Sequence, residues 1–185
     1  MNKYLGAKAI DTLFNGNLFR SRLEARWAVF FKELGIPYQY EPEGFVLDDI
    51  KYLPDFWLPS LQAFFEVKGP YTDNNGREKA EKLAHLSGFP VYLFQYIPYT
   101  EDLIELEPHA AGECYFHLGA DYHYYWCRSE CCGKYGIEYR GWSDRIECCE
   151  ENIKKHKVYS QDHPLFLSAF DVARQARFGR GNVNG

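Results

Sequence analysis

Between Ala63 and Lys68 the chain reads Ala-Phe-Phe-Glu-Val-Lys, an apolar run closed by Gly69-Pro70 and broken by two opposite charges. It is the clearest strand in the sequence. Residues two apart along a strand share a face. Glu66 and Lys68 therefore project together, while Phe65 and Val67 point to the other side. A carboxylate and an ammonium thus share one surface of whatever sheet this strand joins.

The neighbouring segments set an α/β order around it. From Ser21 to Leu34, the residues Leu23, Trp27, Phe30, Phe31 and Leu34 recur at helical spacing, and Gly35-Ile36-Pro37 ends the helix. Tyr38–Tyr40, Gly44–Leu47 and Tyr52–Trp57 read as strands of an antiparallel meander, the third confined by Pro54 to an edge or an irregular start. Asn74–Ser87 reads as a helix, and Gly88-Phe89-Pro90 stops it before the apolar strand Val91–Phe94. This predicts an α/β core over 1–100, complete by about Pro98.

Beyond it, 101–113 carries five acidic residues and no basic one, which suits a connector. A cysteine-rich module over 114–160 follows. The segment 161–185 then holds a last helix over Pro164–Phe178 and a tail that frays from Gly179. No apolar run reaches the roughly 18 residues that span a bilayer, and the N-terminus lacks the apolar core of a signal peptide. The expected location is cytoplasmic, with no membrane partner.

A net charge of −5 is unusual for a phosphate-binding protein. Residues 1–40 reverse the sign, with six basic side chains against three acidic ones. Arg20, Arg22 and Arg26 are the candidate nucleic-acid contacts on that stretch, although a solvated helix face would look the same.

Ten residues separate Asp55 from Glu66, and Asp55 stands at a Pro-Asp step that can set its carboxylate beside the same strand. Two carboxylates on one spot attract a hard divalent cation such as magnesium. Such an ion can polarise a phosphodiester and lower the pKa of a bound water, while Lys68 orients or activates that water. Glu-x-Lys alone describes an ordinary salt bridge equally well.

Pro54-Asp55, the apolar lead-in Phe64-Phe65, Glu66-Val67-Lys68, the following Gly69 and a preceding helix bearing Glu24 together resemble the PD-(D/E)XK nuclease superfamily over roughly residues 18–98. The runs Phe19–Trp27 and Tyr52–Trp57 look like small nucleases of this type encoded by bacteriophages. The resemblance implies a restriction-endonuclease-like mixed sheet flanked by helices. It also implies magnesium or manganese at Asp55 and Glu66, with Lys68 and Glu24 as catalytic partners. Glu24 keeps a second reading, because Ser21-x-x-Glu24 also fits a capping box.

Cys127 and Cys132 precede Cys148-Cys149, and Tyr135–Tyr139 with Arg145-Ile146 can form a hairpin around Gly141, the layout of a zinc ribbon. The spacing is irregular. Cys131 can replace Cys132, and Cys114 or His156 can complete the set. Four protein ligands would make that zinc structural. Tyr122, Tyr124, Tyr125 and Trp126 just ahead can pack beneath the ribbon or stack on bases.

The expected function is a magnesium-dependent endonuclease acting on DNA. A junction resolvase or other structure-specific nuclease, which would need a homodimer to cut two strands, is one alternative. A non-catalytic zinc-containing adaptor that binds nucleic acid is the other.

Overall fold

The apolar stripe after Ser21 forms helix α1 (Arg22–Leu34). Ser21 caps its first turn by accepting the Glu24 N–H, and Gly35 closes it in the left-handed conformation at φ 65°. The computed structural model of the chain describes residues 9–69, 74–98, 112–116, 119–139 and 158–179.

Ahead of α1 a short hairpin, β1 (Thr12–Phe14) and β2 (Asn17–Phe19), turns at Asn15-Gly16, both with positive φ. After it come β3 (Gln39–Tyr40), β4 (Phe45–Leu47), β5 (Ile50–Tyr52), β6 (Phe56–Leu58) and β7 (Ala63–Val67). Helix α2 (Asn74–Ser87) leads to β8 (Val91–Phe94), β9 (Gly112–Phe116), β10 (Gly119–Ser129), β11 (Tyr135–Tyr139) and β12 (Val158–Ser160). Helix α3 (Pro164–Gln175) carries Pro164 in its first turn, where the missing N–H costs nothing.

Apart from the β1–β2 and β4–β5 hairpins, the described strands make one mixed sheet in the order β11-β10-β9-β8-β7-β6-β3, with β12 also on β10. Its one parallel pair among the described strands, β7 with β8, is joined through α2, as a parallel connection requires. Every other pairing in that sheet is antiparallel.

Period-two alternation divides the side chains between two cores. On one face α1 and α3 cover Phe65, Val67, Phe94 and Trp126, and Trp27 and Phe30 fill the space between helices and sheet. On the other, Ala80, Leu83 and Ala84 of α2 lie on Phe64, Val91, Leu93 and Tyr115. The result is an α/β/α sandwich with three helices among the described residues. No helix among them is long and apolar enough to cross a membrane.

Three expectations need correcting. The meander between Tyr38 and Trp57 is interrupted, because β4 pairs with β5 in a separate hairpin and β3 pairs directly with β6. The sheet does not end near Pro98, because β9 adds antiparallel to β8 and begins at Gly112, inside the stretch expected to be a connector. The last helix stops at Gln175 rather than Phe178. Trp126 shows what drives the sheet's extension: it is fully buried and meets Phe30, Phe31, Phe65 and Phe94. Packing is thus the role of that aromatic residue.

The β8–β9 junction carries a testable constraint. A Cβ on Gly112 would stand 2.3 to 2.8 Å from the Phe94 ring, and that ring is stacked on Phe65 at 5.0 Å between centroids. Gly112→Ala is therefore expected to lower stability by about 1–3 kcal/mol through overpacking, read as a lower thermal midpoint.

Candidate active site

Sheet register sets two neighbouring rows of side chains on the α2 face. Gln39, Trp57, Phe64, Val91 and Tyr115 are successive partners across β3, β6, β7, β8 and β9. One two-residue step along the strands lie Asp55, Glu66, Leu93 and Glu113. The second row is where carboxylates enter an otherwise apolar face.

Asp55 and Glu66 are both buried, at 3% and 0% exposure. The backbone ties them together. The Asp55 N–H donates to Glu66 Oε1 at 3.2 Å, and the Val67 N–H donates to Asp55 Oδ2 at 2.8 Å. Lys68 Nζ stands 2.9 Å from Glu66 Oε2 and 3.8 Å from Asp55 Oδ2, and its side chain keeps 25% exposure. One ammonium thus contacts both carboxylates and still reaches solvent. The same-face placement of Glu66 and Lys68 agrees with the strand argument.

Arg20 reaches in from the segment before α1. Its Nη2 donates to Asp55 Oδ1 at 2.8 Å and its Nε stands 2.7 Å from Glu41. Arg22 is exposed and Arg26 half-buried. Tyr52 donates its hydroxyl hydrogen to Glu66 Oε2.

Glu24 lies at the rim in a capping role. Its Oε1 accepts from the Ser21 hydroxyl at 2.7 Å, and its Oε2 accepts from the Arg20 N–H at 3.1 Å and the Tyr40 hydroxyl at 2.7 Å. The backbone bond goes to the amide of Arg20, one residue before the Ser21 amide that a capping box would use. Glu24 also acts on the site through its charge, which helps raise Asp55.

The electrostatics follow from burial. Asp55 is pushed up to about 8, first by loss of water and then by the charge of Glu66, with Lys68 pulling the other way. Burial alone would lower Lys68, yet Glu66 and Asp55 outweigh it and hold the ammonium more firmly protonated. Arg20 follows the same pattern, with burial opposed by Asp55, Tyr40 and Glu41. Burial, then the charge of Glu66, raises the Tyr52 hydroxyl. Two buried carboxylates thus share the site with two cations, and burial together with the charge of Glu66 makes Asp55 reluctant to ionise.

Two adjacent carboxylates make an all-oxygen donor set that fits a hard divalent cation, which one or two carboxylates and several waters suffice to hold. Asp55 and Glu66 would be the protein ligands. Among the described residues no group of three or more His, Cys, Asp or Glu side chains could hold a metal.

A second ionic cluster lies further along the same row. Arg77 of α2 forks onto Glu113, with bonds of 2.8 to 3.2 Å, and the Tyr115 hydroxyl donates to the same carboxylate at 2.6 Å. It pins α2 to β9.

The cysteines are dispersed where described. Cys114 is buried in β9 and Cys127 in β10, while Cys131 and Cys132 are exposed in the turn between β10 and β11. Cys127 sits between Gly136 on β11 and Ser160 on β12, and burial holds its thiol well above the usual range. Tyr135–Tyr139 pairs with β10. Cys148, Cys149, His156 and the Arg145-Ile146 half of the expected hairpin lie outside the described residues.

Sequence reasoning did not find Tyr40, Glu41 or Tyr52. Tyr40 and Tyr52 stand close to the Pro-Asp step in sequence, but tyrosines in short strands are commonplace, and their hydroxyl bonds depend on the fold. Compared with family models, curated proteins and solved structures, the chain matches none.

Proposed function

We propose that the chain is a metal-dependent endonuclease of the PD-(D/E)XK type that hydrolyses phosphodiester bonds in DNA. The observation that carries this reading is the contact of one partly exposed lysine, Lys68, with two buried carboxylates, Asp55 and Glu66, on one sheet face. A mixed sheet with helices on both faces, and Glu66 on its parallel strand pair, supports a restriction-endonuclease-like arrangement.

In this reading Asp55 and Glu66 hold magnesium or manganese. The bound ion would supply Lewis-acid stabilisation of the phosphate and a water of lowered pKa. Lys68, kept cationic by its carboxylate neighbours, orients the attacking water and offsets charge growing on the phosphate. Arg20, half-exposed and anchored on Asp55, can contact a neighbouring phosphate oxygen through the part of its guanidinium that faces solvent. Arg22, exposed on the first turn of α1, adds a backbone contact to the same strand. Glu24 acts as a positioning residue, since its bonds to Ser21, Arg20 and Tyr40 fix the segment that carries Arg20. Cutting both strands of a duplex takes two such sites, which a homodimer supplies. Structural zinc at Cys127, Cys132, Cys148 and Cys149 is a separate proposal, tested by elemental analysis of the native protein.

The reading is tested by incubating the full chain with linear, circular and branched DNA in magnesium or manganese, beside Lys68→Ala. Wild-type cleavage and a loss of about 10²–10⁴-fold in the variant are expected. Equal cleavage by the two proteins would refute the site. Binding without cleavage on every substrate would favour the adaptor.

A further inference from the structure

Next to the carboxylate row lies a cavity of about 460 Å³, within the roughly 300–1,000 Å³ typical of small-ligand sites. Trp57 and Phe64 form its floor with ring centroids 4.9 Å apart. Phe89, from the turn after α2, stands edge-on to Trp57 at 5.0 Å, and Phe45 stands edge-on to Phe64 at 5.5 Å. Gln39 and the exposed Glu43 bring polar groups to the same cavity.

Its position follows from register. Trp57 is two residues beyond Asp55 on β6, and Phe64 is two residues before Glu66 on β7. Both pairs share the α2 face, so the aromatic floor begins about 6.5–7 Å from the carboxylates along the strands. That is close to the spacing of one nucleotide along an extended backbone. Phe89 is 40% exposed, a high value for a phenylalanine in a well-packed protein, and it leaves an open ring at the cavity mouth.

We infer that this cavity receives an unpaired nucleobase of the strand whose phosphate lies at Asp55 and Glu66, so that the enzyme acts on single-stranded or locally opened DNA. The inference rests on the endonuclease reading and names its substrate class. Aromatic faces stack on any base without reading its sequence. An extruded base is held in the same manner by enzymes that act on unpaired nucleotides. The Glu43 carboxylate can only accept hydrogen bonds, so it suits a base edge that presents an exocyclic amino group, such as cytosine, over thymine.

The test pairs cleavage with binding. A labelled single-stranded oligodeoxynucleotide is cut by the full chain in magnesium, with an abasic residue moved through successive positions. In parallel, Asp55→Asn binds the same oligonucleotide carrying 2-aminopurine, whose fluorescence stacking quenches. An abasic residue at one position beside the cut is expected to slow cleavage at least about tenfold. Phe89→Ala should slow cleavage of the intact strand equally, erase the abasic effect and relieve the quenching. Glu43→Gln, at an exposed position, should reduce the preference for cytosine over thymine beside the cut and serves if Phe89→Ala fails to fold.

Cleavage indifferent to abasic position, Phe89→Ala and Glu43→Gln would overturn the base pocket and leave the nuclease reading standing. Quenching relieved by Phe89→Ala, without cleavage by wild type, would support the pocket and overturn the nuclease. Neither cleavage nor quenching would overturn both.

Discussion

Asp55→Asn is expected to abolish magnesium-dependent cleavage, by about 10³-fold or more, and at the same time to stabilise the metal-free protein. The two effects share one cause. Asp55 is buried beside Glu66, and its carboxyl is raised first by loss of water and then by that neighbouring charge. An uncharged amide of the same shape removes the repulsion and keeps one acceptor oxygen, enough for the Val67 N–H or for Arg20, which bond to different oxygens of Asp55. It also removes one of the two proposed metal ligands, and loss of a ligand from the proposed hydrolytic site would act directly on transition-state stabilisation.

The pH dependence fixes the sign. Folded Asp55 keeps its proton up to about 8, whereas the unfolded chain sheds it near the ordinary aspartate value of 3.8. Between those values the folded protein binds more protons than the unfolded chain, so the metal-free protein loses stability as pH rises from about 4 to about 8. Below that window the contribution is fully present, and above it the loss is complete. In Asp55→Asn this slope should vanish. Thermal midpoints of the two proteins should therefore diverge most at about pH 8 and above, by several degrees in the variant's favour. Magnesium needs the ionised carboxylate, so its stabilisation of wild type should grow across the same window and be small in the variant. A variant less stable than wild type at pH 8 without metal would count against this account of the site.

Trp27→Ala is the second large effect, and it acts on the fold. Trp27 is fully buried and its ring meets Phe30, Phe31, Phe65, Phe94 and Phe170 at centroid distances of 4.8 to 6.2 Å. It joins α1, α3, β7 and β8 in one cluster. Deleting the indole removes its burial and leaves a cavity that rigid aromatic neighbours cannot close, at a cost of about 3–5 kcal/mol. Measured against a typical total of about 5–15 kcal/mol, that brings the chain close to unfolding. Denaturant titration should show a markedly lower midpoint. The Asp55–Glu66 site would be weakened with it, because Phe65 and Val67 of the same strand hold Glu66 in register. A midpoint within about 1 kcal/mol of wild type would contradict the packing described.

Local chemistry made much of this legible before any fold was known. The stripe Trp27, Phe30, Phe31 and Leu34 placed α1, and Ser21 with Gly35 marked its ends. The Lys-, Glu- and Ala-rich segment Asn74–Ser87 matched α2 at both limits. Period-two geometry put Glu66 and Lys68 on one face, and the Pro-Asp step brought Asp55 beside them.

What escaped is non-local. Pairing of β8 with β9 joins strands separated by 95–111, which takes in most of the acidic stretch 101–113, and no local periodicity reports such a partner. The choice between a meander and a β4–β5 hairpin depends on whether β3 prefers β6, which both sheet cores decide together. Glu24 looked like either a cap or a site residue, and its carboxylate holds the cap while its charge reaches Asp55. The aromatic cavity was invisible because Gln39, Trp57, Phe64 and Phe89 lie on four separate elements.

The central claim is that Asp55, Glu66 and Lys68 hydrolyse DNA with a divalent cation, and the magnesium dependence of the cleavage rate tests it most directly. Wild type should be inactive in chelator and rise to saturation with added magnesium, while Asp55→Asn stays near background at every concentration. Cleavage that persists in chelator, or an Asp55→Asn curve that overlays wild type, would contradict it.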